Sequence, residues 1–311
     1  MTYLNIISSA IEKCLIESKR SIYIGEDVKH GFCGITNNFG AMAKKKLIDM
    51  PISESCFTGM GLGLGISGYT TFIEYNFSGL TYISMDQIYN QIYKYQEMTG
   101  RRLSSPITII MPTGTKGYRS VHHSDNTYTT FVQLGVPCHM PVLEEHIKLT
   151  MDRIMNDGGL HLLYLPMQEF REERKTLKCI STNTPISYIV KYEKSKSCII
   201  SSGTAIEESI LAAESIKDTI PVDIVTFSNL NDACKVYTEL NNSGLYQNFF
   251  LADDGIGPNG IFSEISQQEN VTSIHRENNI IPFNQCLENQ RRCTRDRIVK
   301  SIVSNTNGAK K

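Results

Sequence analysis

Two short runs, PITIIM (Pro106 to Met111) and LHLLYL (Leu160 to Leu165), are apolar almost without alternation. A strand with one wet face alternates with period two, so an unbroken apolar run predicts a strand covered on both faces. Such strands belong to parallel sheets sandwiched between helices. The stretches around them carry helical spacing. Residues 3–18 set Leu4, Ile7, Ala10, Ile11 and Leu15 on one face, residues 83–98 do the same with Ile88 and Ile92, and residues 143–157 read as helical. A short strand, SIYI (Ser21 to Ile24), ends at Gly25. The alternation predicts an α/β fold with a doubly wound, mostly parallel sheet.

The pattern then repeats. After Phe170 the segments REERK and STNTP (Ser181 to Pro185) read as a linker. Beyond it come a strand at Cys198 to Ser201, a helix at Ile206 to Lys217, a strand at Val222 to Val225 and a helix over Asn231 to Asn241. A strand at Phe249 to Ala252, a helix from about Gly260 and a last helix capped by Thr294 complete the set, with the tail NTNGAKK expected to fray. The 311 residues suffice for two domains, predicted at 1–180 and 190–311.

Composition narrows the function classes. A formal net charge of -1 gives no electrostatic case for nucleic acid or an anionic membrane. The 9 cysteines form no CxxC pair or zinc spacing, which predicts reduced thiols of a cytoplasmic protein. The first twenty residues carry charges every few positions, unlike a signal peptide or membrane span. A P-loop, a GxGxxG fingerprint opening a helix and a GxSxG elbow are all missing.

Three motifs carry candidate chemistry. In DMPISESCFTGMGLGLGISG (Asp49 to Gly68), Glu54 precedes a helix with glycine at 59, 61, 63 and 65, which lets that helix approach a backbone or a flat ligand closely. Gly25-Glu26-Asp27-Val28 places two acids at the end of the first strand, where α/β sheets bind ligands. His122-His123-Ser124-Asp125 follows the PITIIM strand and a Gly-containing segment, TGTKGYRS, so a histidine able to exchange protons near neutral pH sits at another strand's carboxyl end. In EYNFSGLTYISMD (Glu74 to Asp86), Phe77 and Tyr82 read as core residues.

Taken in order, these motifs resemble the beta subunit of the thiamine-diphosphate-dependent decarboxylase component of 2-oxoacid dehydrogenase complexes. The resemblance rests on Gly25 to Val28, on Pro51 to Gly68, on Glu74 to Ile88 and on His123-Ser124, and is weaker beyond residue 190. It implies a pyrimidine-binding domain of transketolase type followed by a transketolase C-terminal domain. It implies that Glu54 hydrogen-bonds N1′ of the thiamine diphosphate aminopyrimidine, that Ile52, Asn76 and Leu80 line that pocket, and that His123 stabilises or protonates intermediates near the substrate. The family's Gly-Asp-Gly…Asn element, which holds Mg²⁺ and the diphosphate, lies on an alpha subunit and has no counterpart here. The resemblance therefore implies an α₂β₂ heteromer, with a second beta subunit and a lipoyl or acyl carrier protein as acceptor.

Some positions depart from the pattern. Leu80 replaces an aromatic, Asp125 replaces Gln, Thr113-Gly114-Thr115 replaces a glycine-richer loop, and Asp253-Asp254 stands near the place of Glu-Glu-x-His. These changes point to a specialised 2-oxoacid or ketose donor. Two other readings stay open: the C-terminal half of a split transketolase, and a non-catalytic scaffold subunit. Relatives often hold a monovalent cation on backbone carbonyls at the turn matching Asn156-Asp157-Gly158, but no metal is assigned to this chain from sequence.

Overall fold

The structure is a computed structural model that describes residues 2–114, 121–167, 179–183, 186–257, 259–277, 280 and 282–308. The first unit runs α1 (Tyr3–Glu17), β1 (Ser21–Gly25), α2 (Ala41–Lys44), β2 (Leu47–Asp49), α3 (Glu54–Ile66), β3 (Thr70–Glu74), a 3₁₀ turn (Ser78–Tyr82), a π-helix (Asp86–Tyr93), α4 (Tyr95–Thr99), β4 (Pro106–Thr113), a 3₁₀ turn (Val121–His123), α5 (Tyr128–Gln133), β5 (Cys138–His139), α6 (Glu144–Asp157) and β6 (Gly159–Pro166). The second runs β7 (Ser181–Asn183), β8 (Ile186–Val190), β9 (Ser197–Ser201), α7 (Ile206–Ile216), β10 (Val222–Thr226), α8 (Ala233–Asn242), β11 (Asn248–Asp253), a 3₁₀ turn (Gly260–Phe262), β12 (Val271–His275), α9 (Gln285–Arg291) and α10 (Arg295–Gly308).

The first sheet has the order β2-β1-β3-β4-β6-β5 and every pairing is parallel. PITIIM and LHLLYL lie side by side in β4 and β6, and all eight β4 residues are buried. β1 connects to β2 on one side and β3 lies on the other, so the connections diverge between β1 and β3. A crevice at the carboxyl ends of two such strands is the usual ligand position in open parallel sheets. Gly25 makes the approach possible: a Cβ there would stand 2.6 Å from the Glu74 carbonyl oxygen and 2.8 Å from Val28 Cγ1.

The second sheet has the order β12-β11-β9-β10-β8-β7, parallel from β12 to β10, with β8 and β7 antiparallel. One apolar cluster joins the units. It holds Phe57, Ile88, Ile109 and Tyr164 of the first with Ile200, Val225, Phe249 and Phe262 of the second. The outer faces are closed by α1 and α6 over the first sheet and by α7 and α10 over the second.

Several expectations need correction. Ser181 to Asn183, read as linker, form β7, because Thr182 and its neighbours find partners on β8. REERK lies outside the described residues, as do Thr184, Pro185 and residues 115–120. The helix expected from about Gly260 is a single 3₁₀ turn. Asn259 and Gly260 have φ of 63° and 52°, which an α-helix cannot propagate. The helix over 83–98 is a π-helix followed by α4; the Lys94 N–H to Tyr89 carbonyl bond at 3.2 Å marks its wide turn. Residues 305–308 of the tail continue α10, where Thr306 bonds the Ile302 carbonyl and Asn305 Nδ2 donates to the Ser301 carbonyl at 2.9 Å. Tyr82 is 43% exposed rather than core, whereas Phe77 is buried.

The glycines of α3 are not equivalent. A Cβ on Gly65 would lie 2.5 Å from Ile107 Cδ1 and one on Gly61 2.4 Å from Ile73 Cδ1, whereas Gly63 meets no atom within 4 Å. Gly63→Ala is expected to stabilise the fold by about 0.5–1 kcal/mol. Gly65→Val is expected to cost about 1–3 kcal/mol through overpacking against β4. Thermal denaturation midpoints moving in opposite directions would bear this out.

Candidate active site

The carboxyl ends of β1, β2, β3 and β4 gather the acidic and polar side chains. Glu54 is the first residue of α3, where a carboxylate is favoured by the helix dipole, and it is only 6% exposed. Among the described residues no donor is hydrogen-bonded to its carboxylate. That leaves the carboxylate to water or to a donor from outside the chain. Its electrostatic neighbours are Glu26, just past β1, and Tyr75, just past β3. Burial raises the Glu26 carboxyl above the usual range, and the Glu54 charge adds to the rise. Burial also pushes the Tyr75 hydroxyl up to about 12, and that hydroxyl shares a 2.5 Å hydrogen bond with Thr58 on α3. Tyr75 thus ties the Glu54 helix to β3.

Behind this crevice Glu74 is fully enclosed, bonded by the Tyr23 hydroxyl and faced by Cys33. Its desolvation pushes the carboxyl up to about 7. Next to it, Asn76 is 8% exposed and its carboxamide oxygen lies 3.8 Å from Cys33 Sγ. The Phe77 ring lies 4.4 Å from the His123 imidazole at a 40° tilt. Leu80, in the 3₁₀ turn that follows, packs against the central cluster.

The predicted residues therefore occupy one edge of the sheet. Glu54 lies within electrostatic reach of Glu26, and His123 is stacked beside Phe77. Ile52, on the loop before α3, stands apart from the core at 78% exposure. The His122 side chain and Thr115 lie outside the described residues. At the 156–158 turn the backbone carbonyls have protein partners: Arg102 donates to Asp157 O at 2.8 Å and His161 Nε2 lies 3.0 Å from Gly158 O. Among the described residues no group of three or more His, Cys, Asp or Glu is placed to hold a metal, and no helix is long and apolar enough to cross a membrane.

Sequence reading passed over Tyr75, the Tyr23–Glu74 pair and Tyr128. Only Tyr23 lies in an apolar run; Tyr75 stands between Glu74 and Asn76 and Tyr128 among threonines, and none carries a local signal that its hydroxyl ends on a specific partner.

The family model described as "Transketolase, pyrimidine binding domain" matches residues 1–171. The chain belongs to that family. Its first unit is the family's domain, and the crevice above β1 and β3 lies within it. Among curated relatives, "Pyruvate dehydrogenase E1 component subunit beta" of Bacillus subtilis (strain 168) is 28% identical over 240 residues, covering 72% of this chain and 71% of that protein. "3-methyl-2-oxobutanoate dehydrogenase subunit beta" of Mycobacterium tuberculosis (strain ATCC 25618 / H37Rv) is 28% identical over 138 residues, 42% of this chain and 39% of that one. Among solved structures, "Split gene transketolase, inactive beta4 tetramer" superposes with a TM-score of 0.72 at 16% identity, over 96% of both chains. The transketolase of Campylobacter jejuni subsp. jejuni NCTC 11168 does so with 0.74 at 11% identity, over 98% of this chain and 46% of that one. These likenesses extend the transketolase-type fold through both α/β units.

Glu74 yields a test. Its carboxyl is raised from 4.5 to about 7 in the folded chain, so between those values the unfolded chain ionises while the folded one holds its proton. Stability must fall as pH rises through that window and level off above it. Glu74→Gln removes the titration. Relative to wild type, it is expected to gain stability from pH 5 to pH 8 by at most about 3 kcal/mol. Urea denaturation at the two pH values measures the difference.

Proposed function

We propose that this chain is the aminopyrimidine-binding beta subunit of a heteromeric thiamine-diphosphate enzyme. That enzyme would cleave a 2-oxoacid, or a ketose, next to the carbonyl and pass the product unit to a lipoyl or carrier-protein acceptor. Residues 1–180 would form the pyrimidine-binding domain and 190–311 the C-terminal domain. The observation that carries the reading is Glu54: a carboxylate 6% exposed, at a helix start, beside Glu26 and with no donor from the described chain. A ring nitrogen that carries a proton fits that requirement. Family membership and the beta-subunit relatives support the choice of thiamine diphosphate.

In this reading Glu54 accepts a hydrogen bond from N1′ and so controls where the aminopyrimidine keeps its protons. Leu80 offers an apolar surface to the ring, without the roughly 0.5–1.5 kcal/mol that an aromatic pair would add. Ile52 and Asn76 complete the pocket. His123, half-buried against Phe77, holds or delivers a proton on the substrate side. When bound, the cofactor supplies the carbon nucleophile for the ketone. Mg²⁺ and the diphosphate would sit on an alpha subunit bearing Gly-Asp-Gly…Asn, in an α₂β₂ assembly. The exposure of Ile52, Tyr82 and Ile83 beside the crevice supports a partner covering this face.

A second reading, half of a split transketolase, is favoured by the superposition on the split-gene chain over 96% of both chains. In the enzyme assembled with its alpha partner, Glu54→Gln is expected to lower turnover by about 100-fold or more while leaving assembly intact. Carbon dioxide release from 2-oxoacids supports the first reading, aldose release from a ketose phosphate the second. Turnover unchanged in Glu54→Gln would leave the chain as a scaffold.

A further inference from the structure

The segment that carries His123 is held from two sides. From the first unit, Ser78 Oγ donates to the Asp125 carbonyl at 2.5 Å and Thr113 Oγ1 donates to Asn126 Oδ1 at 3.0 Å. From the second, the partners are the residues at the end of β11. Tyr128 Oη donates to Asp253 Oδ1 at 2.7 Å, and Asn126 Nδ2 donates to the Asp254 carbonyl at 2.6 Å. Asn126 and Tyr128 are fully buried, and Asp253 is 1% exposed.

The second unit grips this acid tightly. Asp253 Oδ2 accepts the Ile261 N–H at 2.9 Å. A Cβ on Gly260 would collide with that same carboxylate, and one on Gly255 would lie 2.2 Å from Thr129 Oγ1. Asp254 faces the other way, accepting the Cys293 N–H at 2.9 Å with Arg292 3.7 Å from its carboxylate. Neighbouring acids therefore fix one strand end to the His123 segment and to the C-terminal helices together. A buried hydrogen bond of this kind adds little net stability over a packed apolar pair. Its particular effect is to fix the register between two elements 125 residues apart.

We propose that Asp253 is a positioning residue for His123: through Tyr128 it anchors the segment that sets the His123 ring against Phe77, making the second α/β unit part of the catalytic apparatus. This rests on the reading in which His123 acts on substrate.

The test follows the histidine directly. The full chain is labelled with ¹³C-histidine and its seven imidazoles are resolved by NMR, His123 being assigned with His123→Gln. The Phe77 ring, 4.4 Å away, gives His123 a ring-current shift. Tyr128→Phe removes only the hydroxyl, and Asp253→Asn turns an acceptor toward the Ile261 N–H into a mixed amide. Both are expected to move the His123 signal toward its random-coil position, with buried His139, His146 and His161 unmoved. In the enzyme assembled with its alpha partner, Tyr128→Phe is expected to lower turnover about tenfold with cofactor affinity unchanged. A His123 signal that stays in place, or one that moves only together with His139 and His161, overturns the proposal, as does unaltered turnover. A wild-type assembly inactive on both 2-oxoacids and ketose phosphates would count against the functional reading instead, and the NMR comparison would still decide whether the clamp exists.

Discussion

The approach of Gly25 to the Glu74 carbonyl is the constraint on which the carboxyl edge depends. Any side chain at residue 25 would push β1 from β3 at the place where their connections part. With glycine there, the two strands stay paired to their ends, Gly25 opposite Glu74. The crevice opens directly above, and Glu26, Glu54 and Asn76 fall around it because Glu26 follows β1, Glu54 begins α3 and Asn76 lies two residues past β3. Burial raises the Glu74 carboxyl, and burial together with the Glu54 charge raises that of Glu26.

Much of this was readable from residue patterns. Unbroken apolar runs located β4 and β6, and helical spacing located α1, α6 and α7, because burial on two faces or one leaves a periodic trace. Glu54 and His123 stood out because a charged or titratable residue beside glycine-rich turns breaks that trace. The illegible parts depend on distant partners. β7 is a strand only because β8 lies beside it. The turn at Gly260 replaces a helix because two consecutive residues take positive φ. Tyr75, Tyr23 and Tyr128 look like ordinary core aromatics until the acceptors of their hydroxyls are known.

The second unit is more than a cover for the first. Its β11 ends in two acids that point in opposite directions, one toward the α5 segment and one toward Arg292, which in turn reaches Glu208 on α7 at 3.7 Å. Asp125 and Asp253-Asp254 therefore belong to one connected region, joined through Asn126 and Tyr128.

The apolar cluster that runs without a break from Ile109 and Tyr164 to Phe249 and Phe262 bears on how the chain behaves as a material. Neither sheet has an inner face of its own that is complete. Cutting the chain between them would expose two apolar surfaces at once, each a template for aggregation. Folding and melting should then proceed as a single cooperative event. A chain with two sheets and two sequence-level halves would behave, in the test tube, as one thermodynamic unit.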